Sequence, residues 1–333
     1  MSSTDSFPAF VVDESKQGAV TQLSLADLPP GEVVIRASYS SLNFKDALAA
    51  TAHPGVARQL PHVPGIDVVG VVESSEDERF QPGDQVFVTG YEMGAPRWGG
   101  WSAFVRVPAD WIVRLPRPDL AIYAIGLGTA GFTAAQSVAS LQLHSIAPEN
   151  GEVLVTGATG GVGSLALRLL SQLGYQVVAM TGKPEYEDQL LQWGATRVLP
   201  REALDVSSEK PLLKATWAAA VDTVGGPVLA AVIKQIEHRG CVATCGNVAG
   251  TELPLTVFPF ILRGVKLDGI DSAMCPRTER EAIWDRLFGE WYSEQLIDGT
   301  RIVPLAQIDQ EVRSMLRGES LGRVIVDVHS ATS

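Results

Sequence analysis

The chain has 333 residues and a formal net charge of −12, which argues against nucleic acid as its main partner, because phosphate binding needs a basic surface. Its hydrophobic fraction of 46% and charged fraction of 19% are typical of a globular protein with a large core, and its length favours two domains. No apolar run is long enough to span a bilayer and the N-terminus has no apolar signal segment, so we expect a cytoplasmic protein without a membrane partner.

The first part of the chain, residues 1 to about 120, is rich in strand and turn signals. Val33–Tyr39 and Val68–Glu73 have the apolar, β-branched composition of strands. Further strands are predicted over residues 10–12 and 99–107, and residues 81–88 are predicted to be a turn that leads into one more strand. The one clear helix candidate in this part is short, Asn43–Ala50. These features predict a β-rich domain shaped as a partly open barrel.

The composition changes at Leu120, where helix and strand signals begin to alternate. Ala121–Leu143 is rich in Ala and Gly and has the apolar spacing of a helix. Strands are then predicted over residues 153–155, 176–180, 197–199, 218–222, 241–245 and 265–270, with helices over 164–173, 185–193 and 228–237. This alternation predicts a doubly wound parallel sheet of about six strands. Cys241 and Cys245 are interpreted as buried small apolar residues rather than as parts of a disulfide framework.

A glycine-rich turn, Gly157–Gly163, lies between an apolar strand and a predicted helix. Ala158, Gly160 and Gly163 keep the GxGxxG spacing, with Ala in the first place. Gly160 lets the backbone approach a phosphate, Gly163 lets the helix pack on the strand, and the helix N-terminus faces the anion. The turn therefore predicts a dinucleotide site, and the alternative is a glycine turn in another kind of α/β protein. The expected cofactor-binding residues of the turn are Ala158, Thr159, Gly160, Gly161, Val162 and Gly163.

The residues after the second strand of this domain indicate which nicotinamide cofactor is bound. An Asp or Glu about 20 residues after the glycine turn would bind the ribose 2′-hydroxyl of NAD. No carboxylate occurs there before Glu185, and Thr181, Gly182 and Lys183 offer a hydroxyl and a cation instead. Both groups suit a 2′-phosphate, so we predict NADPH. The alternative is that Lys183 is a solvated loop residue.

The C-terminal part of the chain resembles the first part in its composition. A helix is predicted over Thr278–Trp291 and a closing strand over Gly322–Val328. We infer that the C-terminus returns to complete the β-rich domain. The predicted division is residues 1–121 with 272–333 for the β-rich substrate domain, and residues 122–271 for the cofactor domain.

Several sequence blocks together resemble the medium-chain dehydrogenase/reductase superfamily, and within it the acryloyl-CoA reductase branch, long labelled quinone oxidoreductases. The blocks are Ser40–Leu48, Pro64–Asp67, Thr89–Gly90 with Trp98–Gly100, Gly128–Ala134, Gly157–Gly163, Val221–Gly225, Pro259–Arg263 and Gly269–Ser272. The resemblance implies an α/β fold in which a Rossmann domain that binds NADPH is inserted in a GroES-like β-rich domain that binds the substrate. It also implies homodimers formed through edge strands of the cofactor domains.

The alcohol dehydrogenases of this superfamily carry a catalytic zinc on a Cys a few residues before an Asp and on a His after Pro-Gly. The corresponding places in this chain look like Asn43 and Ile66. An isoleucine cannot bind a metal, and an amide is a poor substitute for a thiolate. Residues 90–110 also contain no Cys for a structural zinc. We therefore predict that the protein binds no zinc.

The resemblance implies a catalytic pocket lined by Asn43, Asp67 and Arg323. Asn43 would contact the nicotinamide ribose or the substrate carbonyl, but it could instead cap the short helix. Asp67 could have a catalytic role or form a structural ion pair with Arg323. Arg323 could bind a cofactor phosphate or stabilise an enolate. Thr129, Gly246 and Ile270 complete the cofactor contacts that the resemblance implies.

Other residues near the predicted pocket have weaker indications. Asp46 is interpreted as stabilising the fold, and Tyr39 or Tyr91 could donate a proton to the α-carbon, as could water. Arg58 and Arg97, in loops of a net-acidic protein, could bind the phosphates of CoA.

Without a Lewis acid, reduction of an activated C=C bond is more feasible than alcohol oxidation. The expected activity is NADPH-dependent reduction of an α,β-unsaturated acyl-CoA thioester, with acryloyl-CoA to propionyl-CoA as the expected reaction. A quinone or enone reductase without CoA is the alternative, and a protein of another class would be a cofactor-loaded sensor or binding protein. The apolar run Leu255–Leu262 could cover a subunit interface or pack on the cofactor domain.

Overall fold

A computed structural model describes residues 6–330 of the chain. It divides into two compact units. One unit comprises the chain up to Thr129 together with the chain from Ala273 onward, and the other is Ala130–Ser272. Within residues 6–330, no helix combines the length and the apolar composition needed to cross a bilayer.

Strands predominate in the first part of the described chain, and strands and helices alternate from residue 121 onward. The strands are β1 (Phe7–Val12), β2 (Gly18–Leu23), β3 (Val33–Leu42), β4 (Asp67–Ser75), β5 (Gln85–Thr89), β6 (Phe104–Val107), β7 (Val113–Arg114), β8 (Glu152–Thr156), β9 (Gln176–Thr181), β10 (Arg197–Pro200), β11 (Trp217–Asp222), β12 (Ile236–Thr244), β13 (Lys266–Gly269), β14 (Arg301–Pro304) and β15 (Val324–Asp327). The α-helices are α1 (Phe44–Ala50), α2 (Ala121–Leu143), α3 (Gly161–Gln172), α4 (Glu187–Gln192), α5 (Gly226–Lys234), α6 (Phe258–Arg263), α7 (Arg277–Phe288) and α8 (Ile308–Leu316).

The first unit is built on a seven-stranded sheet in the order β14-β15-β3-β4-β5-β7, with β6 also paired to β3. β1 and β2 form a separate antiparallel pair. The C-terminal strand β15 runs antiparallel to β3, with Val324 opposite Leu42. This pairing confirms that the end of the chain completes the β-rich unit, and it brings the residues before β15 next to those after β3.

The second unit contains a six-stranded parallel sheet in the order β10-β9-β8-β11-β12-β13. This is the predicted doubly wound order, in which the sequence of strands reverses between β8 and β11. Side chains of the central strands, such as Val153, Val155 and Ala220, are completely buried, because helices cover both faces of such a sheet. The predicted fold class is therefore confirmed.

The first unit boundary lies further along the chain than the predicted boundary at 121/122. Helix α2 is interrupted at Gly128, whose φ of 52° and ψ of −154° are not helical. The chain divides directly after this interruption, between Thr129 and Ala130. Apolar spacing does not reveal the interruption, because the residues on both sides of it keep a helical pattern. The second division, between Ser272 and Ala273, is adjacent to the predicted one.

Several predicted elements have different ends. The strand predicted over 99–107 is reduced to β6, because Gly99 and Gly100 donate their N–H groups to Val63 and Gly65 instead of to the sheet. The helix predicted over Thr278–Trp291 ends at Phe288, before Gly289. Strand β14 and helix α8 were not predicted.

The apolar run at Leu255–Leu262 forms α6 and the turn before it. Leu255 and Phe260 pack against the core of the second unit. In contrast, Val257, Ile261 and Leu262 are 62%, 67% and 55% exposed. Both expected uses of the run are therefore compatible with its structure, since one side is packed and the other is apolar and open.

Candidate functional site

The glycine-rich turn follows β8 and leads into α3, as the sequence predicts. Gly157 has a left-handed φ of 61°, and Gly160 is the N-cap of α3. The Gly160 N–H donates to the Gly157 carbonyl oxygen at 2.9 Å, which closes the turn. Intrahelical bonding begins with the Ser164 N–H and the Gly160 oxygen. Gly161, Val162 and Gly163 therefore form the first turn of a helix, where N–H groups suit an anion such as a pyrophosphate.

Two residues of this turn pack against their surroundings. A Cβ on Gly163 would overlap the carbonyl oxygen of Gly157, so only glycine lets α3 begin this close to the strand. Ala158 is fully buried, and its N–H donates to the Met180 carbonyl oxygen at 3.0 Å. Ala158 therefore contributes packing, and its N–H is already used within the protein.

The corner expected to hold the 2′-phosphate lies at the end of β9. The Thr181 hydroxyl lies 3.2 Å from the Thr159 hydroxyl, and it accepts the Lys183 N–H at 3.0 Å. A Cβ on Gly182 would overlap the guanidinium of Arg201, so this arginine lies directly against the corner. The corner therefore contains two cationic side chains, the predicted Lys183 and Arg201, beside Thr181 and Gly182.

Sequence reasoning missed Arg201. The signal that could have found it is its position directly after β10, because β10 pairs in parallel with β9 and Pro200 lies opposite Thr181. The carboxyl ends of neighbouring parallel strands meet at one edge of a sheet, so residues that follow them are close in space.

Two further predicted cofactor residues lie at the same edge of the parallel sheet. Gly246 follows β12, and a Cβ on it would overlap the backbone of Thr223. Ile270 follows β13, and its N–H donates to the Thr244 carbonyl oxygen at 2.9 Å. The second unit therefore brings the glycine turn, the 2′-phosphate corner, Gly246 and Ile270 to the carboxyl ends of its strands.

The first unit contains a buried polar cluster centred on Asp67, the first residue of β4. Asp67 is completely buried. Its carboxylate accepts hydrogen bonds from the Ser41 hydroxyl at 2.6 Å and the Asn43 amide at 2.9 Å. It also accepts the N–H and the hydroxyl of Thr129, at 3.0 and 2.5 Å. The expected residues Asn43, Asp67, Arg323 and Thr129 are all brought together in this cluster.

Arg323 precedes β15 and is buried in the same cluster. Its Nε donates to the Gly126 oxygen at 3.0 Å, and its Nη1 donates to the Leu42 oxygen at 3.2 Å and to Asn43 Oδ1 at 3.0 Å. Nη2 lies 3.9 Å from Asp67 Oδ2 and makes no hydrogen bond to any residue that the structure describes. Three hydrogen bonds from Nε and Nη1 hold the guanidinium in place, and the N–H groups of Nη2 can still donate to a ligand.

Gly128 permits this arrangement. A Cβ on Gly128 would overlap the Asp67 carboxylate and would lie 2.9 Å from Arg323 Nη2. The left-handed φ of 52° at Gly128 also directs the next N–H, that of Thr129, onto Asp67. The interruption of α2 thus supplies part of the polar cluster.

Both the nitrogen and the oxygen of the Asn43 side-chain amide make hydrogen bonds within the protein. Its Nδ2 lies within hydrogen-bond distance of Ser41 Oγ, Asp46 Oδ2 and Asp67 Oδ2, at 3.0, 3.1 and 2.9 Å. Its Oδ1 accepts from Arg323. Asn43 is also the N-cap residue of α1, and its backbone N–H donates to Asp46 Oδ2 at 2.8 Å. Because its amide protons are used within the protein, Asn43 is better suited to orienting Arg323 and Asp67 than to donating to a ligand.

Asp46 ties this cluster to the turn before β4. Its Oδ1 accepts the N–H groups of Gly65 and Ile66 at 3.1 and 2.8 Å. Burial, and secondarily the charge of Asp67, raise the pKa of Asp46 to about 7, although every hydrogen bond that it accepts favours the ionised form. The interpretation of Asp46 as a residue that stabilises the fold agrees with these contacts.

The positions that hold zinc in alcohol dehydrogenases do not fit a metal in this chain. Ile66 is buried and has no donor atom, and the Asn43 amide is occupied by Asp67 and Arg323. Across residues 6–330, no group of three or more His, Cys, Asp or Glu side chains is arranged to hold a metal ion. No step of the chemistry is therefore assigned to zinc.

Tyr91 and Arg97 belong to a stack in which two aromatic rings lie between two guanidinium groups. The Tyr91 ring is parallel to that of Trp111, with centroids 5.3 Å apart, and the Arg280 guanidinium lies 4.2 Å from the Tyr91 ring centroid. The Arg97 guanidinium lies 5.2 Å from the Trp111 ring centroid and donates to the Pro30 oxygen. The role of Arg97 in binding CoA phosphates stays a prediction, as do the roles of Tyr39, Tyr91 and Arg58.

Comparison with known families agrees with the assignment of a β-rich unit and a cofactor unit. Residues 29–117 match the alcohol dehydrogenase GroES-like domain, and residues 161–288 match the zinc-binding dehydrogenase family. The acrylyl-CoA reductase AcuI of Ruegeria pomeroyi is 45% identical over 329 residues, which cover 97% of this chain and 100% of that protein. The chain belongs to the medium-chain dehydrogenase/reductase superfamily. The match to the zinc-binding dehydrogenase family concerns the fold, because Asn43 and Ile66, which resemble the zinc-ligand places, carry an amide and an alkyl side chain.

Two further relatives have names or solved structures that bear on the function. "Putative quinone oxidoreductase YhfP" of Bacillus subtilis is 46% identical over 308 residues, 92% of this chain and 93% of that protein. A crystal structure of YhfP with NAD bound has a TM-score of 0.93 and 43% identity, and covers 97% of this chain and 100% of that one. The structure of Escherichia coli YhdH with bound NADPH has a TM-score of 0.92 and 41% identity, and covers 96% of this chain and 99% of that one.

Proposed function

We propose that this protein is an NADPH-dependent reductase of α,β-unsaturated acyl-CoA thioesters, with acryloyl-CoA as substrate and propionyl-CoA as product. The observation that carries the proposal is the buried Arg323 guanidinium, which three contacts hold while its Nη2 is hydrogen-bonded to no residue that the structure describes. Such a group can stabilise the negative charge that develops on a thioester oxygen during reduction of the adjacent C=C bond. The name of the Ruegeria relative supports the same reaction.

NADPH fits the second unit. The first turn of α3 would hold the pyrophosphate, and Thr181, Lys183 and Arg201 would hold the 2′-phosphate. No carboxylate lies at the end of β9 to repel that phosphate, and the E. coli relative was crystallised with NADPH. When bound, NADPH supplies the hydride that adds to the β-carbon of the thioester, and a proton from water or a tyrosine then reaches the α-carbon.

The residues of the first unit would then stabilise the enolate. Arg323 would donate from Nη2 to the thioester oxygen, while Asp67 keeps the guanidinium charged at a distance of 3.9 Å. Asn43 and Thr129 would fix the two partners of this ion pair. One positioned donor of this kind typically contributes about 3–4 kcal/mol to transition-state stabilisation.

A quinone or enone reductase is the second candidate function, and the name of the YhfP relative favours it. The two candidates share cofactor, fold and polar cluster, so substrate turnover must separate them. The decisive experiment follows NADPH oxidation with acryloyl-CoA, crotonyl-CoA and a simple quinone, each at the same concentration.

Fast turnover of acryloyl-CoA with little activity on the quinone is the expected result. Turnover of the quinone without turnover of either thioester would overturn the assignment to CoA thioesters and leave the cofactor proposal in place. Tight NADPH binding without turnover of any of the three would instead favour a sensor or binding protein.

We further propose a cytoplasmic homodimer. In the described residues β13 is an edge strand of the parallel sheet, and the apolar residues Val257, Ile261 and Leu262 are exposed just before it. An edge strand next to an exposed apolar helix face is a combination that a second copy of the chain would cover. All three cysteines are free, as expected in a reducing compartment.

A further inference from the structure

A second buried carboxylate, Asp222, lies at the carboxyl end of β11 in the cofactor unit. Its side chain is completely buried. β11 is the strand next to β8, at the point where the order of the parallel sheet reverses, and doubly wound proteins bind dinucleotides at this point. The proposed chemistry makes no use of Asp222.

Asp222 connects the ends of three neighbouring strands. Its Oδ1 accepts the hydroxyl of Thr156, at the end of β8, at 2.7 Å. Its Oδ2 accepts the N–H of Gly225 at 2.8 Å and the hydroxyl of Thr244, at the end of β12, at 3.3 Å. Its carbonyl oxygen accepts the Cys245 N–H at 3.0 Å. Most of these contacts hold the turns that follow β11 and β12.

The next residue, Thr223, is fixed by Thr156, whose hydroxyl is itself bound to Asp222. Its N–H donates to Thr156 Oγ1 at 3.1 Å, and its hydroxyl donates to the Thr156 carbonyl oxygen at 2.8 Å. Atoms of Thr223 occupy the space where a Cβ of Gly157 or of Gly246 would lie. Thr223 is therefore packed between the glycine-rich turn and Gly246, a residue expected to contact the cofactor.

A buried carboxylate is costly unless its hydrogen bonds are satisfied, and burial raises the pKa of Asp222. A well-packed apolar residue would fill the space without this cost, but it could not hold three polar groups from three different segments. The contacts of Asp222 thus specify the geometry of the turns, in addition to filling space.

We propose that Asp222 is a positioning residue for the nicotinamide half of NADPH. A doubly wound domain binds one mononucleotide with each half of its sheet. The glycine turn and the 2′-phosphate corner belong to the half formed by β8, β9 and β10, whereas Thr223, Gly225 and Gly246 belong to the half formed by β11, β12 and β13. The inference rests on the proposed NADPH binding.

The test compares two ligands by fluorescence and calorimetric titration: NADPH, and 2′,5′-ADP, which lacks the nicotinamide half. The variants are Asp222→Ala and Asp222→Asn, and the control is Asp268→Ala, which also removes a carboxylate bonded to a hydroxyl, that of Ser140, in the same unit. Thermal unfolding of each variant shows whether it folds.

We expect Asp222→Ala to raise the Kd for NADPH at least about tenfold, as for the loss of one hydrogen bond to a charged group, and to leave the Kd for 2′,5′-ADP within about twofold. Asp222→Asn keeps an acceptor for the Gly225 N–H and can donate to Thr156, so it should recover most of the NADPH affinity. The control should bind both ligands like the wild type.

Equal weakening of both ligands by Asp222→Ala, or no weakening of either, would overturn the proposal. If Asp222→Ala does not fold, Thr244→Val is tested in its place, because it removes only one contact of Asp222. This variant should raise the Kd for NADPH by a smaller factor and leave the Kd for 2′,5′-ADP unchanged. Failure of the wild type to bind NADPH would contradict the proposed function instead, and the two failures are therefore distinguishable.

Discussion

Asp46 and Asp67 accept hydrogen bonds from the same amide nitrogen, Nδ2 of Asn43, at 3.1 and 2.9 Å. Both carboxylates are completely buried, and Arg323 is the guanidinium that lies beside them. If both acids are ionised, the cluster carries one more negative than positive charge. Burial raises the pKa of Asp46 to about 7, so protonation of Asp46 makes the cluster depend on pH near neutrality.

The first prediction concerns the pH dependence of stability. The pKa of Asp46 rises from 3.8 to about 7 in the folded protein, so the folded state binds a proton more readily than the unfolded state. The stability that Asp46 contributes is then fully present below its unfolded pKa and is lost as the pH rises through about 7. Asp46→Asn has no such titration. Its Tm should be lower than that of the wild type, but should change less between about pH 5 and pH 8.

The measurement is thermal unfolding of both proteins across that pH range. Asp13→Asn is a suitable control, because that aspartate is fully exposed and its pKa is lowered by a hydrogen bond from Ser15. Parallel Tm curves for wild type and Asp46→Asn would mean that the four N–H contacts keep Asp46 ionised throughout, and the prediction would be wrong.

The second prediction concerns Gly128. An alanine there would adopt an unfavourable left-handed conformation, which costs about 1–2 kcal/mol, and its Cβ would also displace the Asp67 carboxylate or Arg323. We expect Gly128→Ala to lower the free energy of unfolding by about 2–5 kcal/mol, since overpacking adds about 1–3 kcal/mol to that conformational cost. Activity should fall as well, because Arg323 is displaced.

Gly318→Ala is the matched control for Gly128→Ala. Gly318 lies in the same unit with a φ of 73°, and nothing lies within 4 Å of its added Cβ. This variant isolates the conformational cost and should keep full activity. Equal destabilisation by the two substitutions in denaturant unfolding would show that the contact with Asp67 and Arg323 has no effect.

The fold was predictable because its signals are local and repeated. The segment Val153–Leu173 contains a strand, a glycine turn and a helix, and each is built from different residue types. The strands and helices alternate after this segment, and this alternation specifies a parallel sheet. The interruption of α2 was not predictable from the apolar pattern. Gly128 is one of several glycines and alanines in that segment, and only the proximity of Asp67 and Arg323 gives it a special conformation.

The polar cluster was only partly predictable. The resemblance to a known family pointed to Asn43, Asp67 and Arg323, but it could not show that the Asn43 amide is already occupied by Asp46, Asp67 and Arg323. Arg201 and Asp222 were missed for a related reason. Their importance comes from residues on neighbouring strands, and strand order is a tertiary property that single-residue patterns do not contain.

The third prediction concerns cofactor choice. Lys183→Ala and Arg201→Ala should each reduce the preference for NADPH over NADH, by about 10- to 100-fold, as expected for the loss of one charge-assisted hydrogen bond. Arg239→Ala, a change to an exposed cation of the same unit, is the control and should keep the wild-type preference. The measurement is kcat/KM with each cofactor. An unchanged preference in both variants would remove these two residues from the 2′-phosphate site.

The fourth prediction concerns assembly. Ile261 is 67% exposed on α6, and an aspartate there would place a charge in the proposed subunit interface. Ile261→Asp should convert the dimer to a monomer in light scattering after size-exclusion chromatography. Val206→Asp, at a residue of the same unit that is 47% exposed, should stay dimeric. A dimeric Ile261→Asp variant would place the interface elsewhere, and a monomeric wild type would contradict the homodimer itself.

The last prediction concerns Arg323. Lysine at this position keeps a positive charge, but a single ammonium cannot bind Gly126, Leu42 and Asn43 and also present a free N–H edge. We expect Arg323→Lys to lower kcat by about 10²–10³-fold, the usual effect of losing one donor to a developing oxyanion.

The Kd for NADPH should change little if Arg323 acts on the substrate, and should rise if it binds a cofactor phosphate. Stopped-flow measurement of hydride transfer, together with a separate NADPH titration, distinguishes the two roles. A kcat close to that of the wild type would leave Arg323 as a purely structural partner of Asp67.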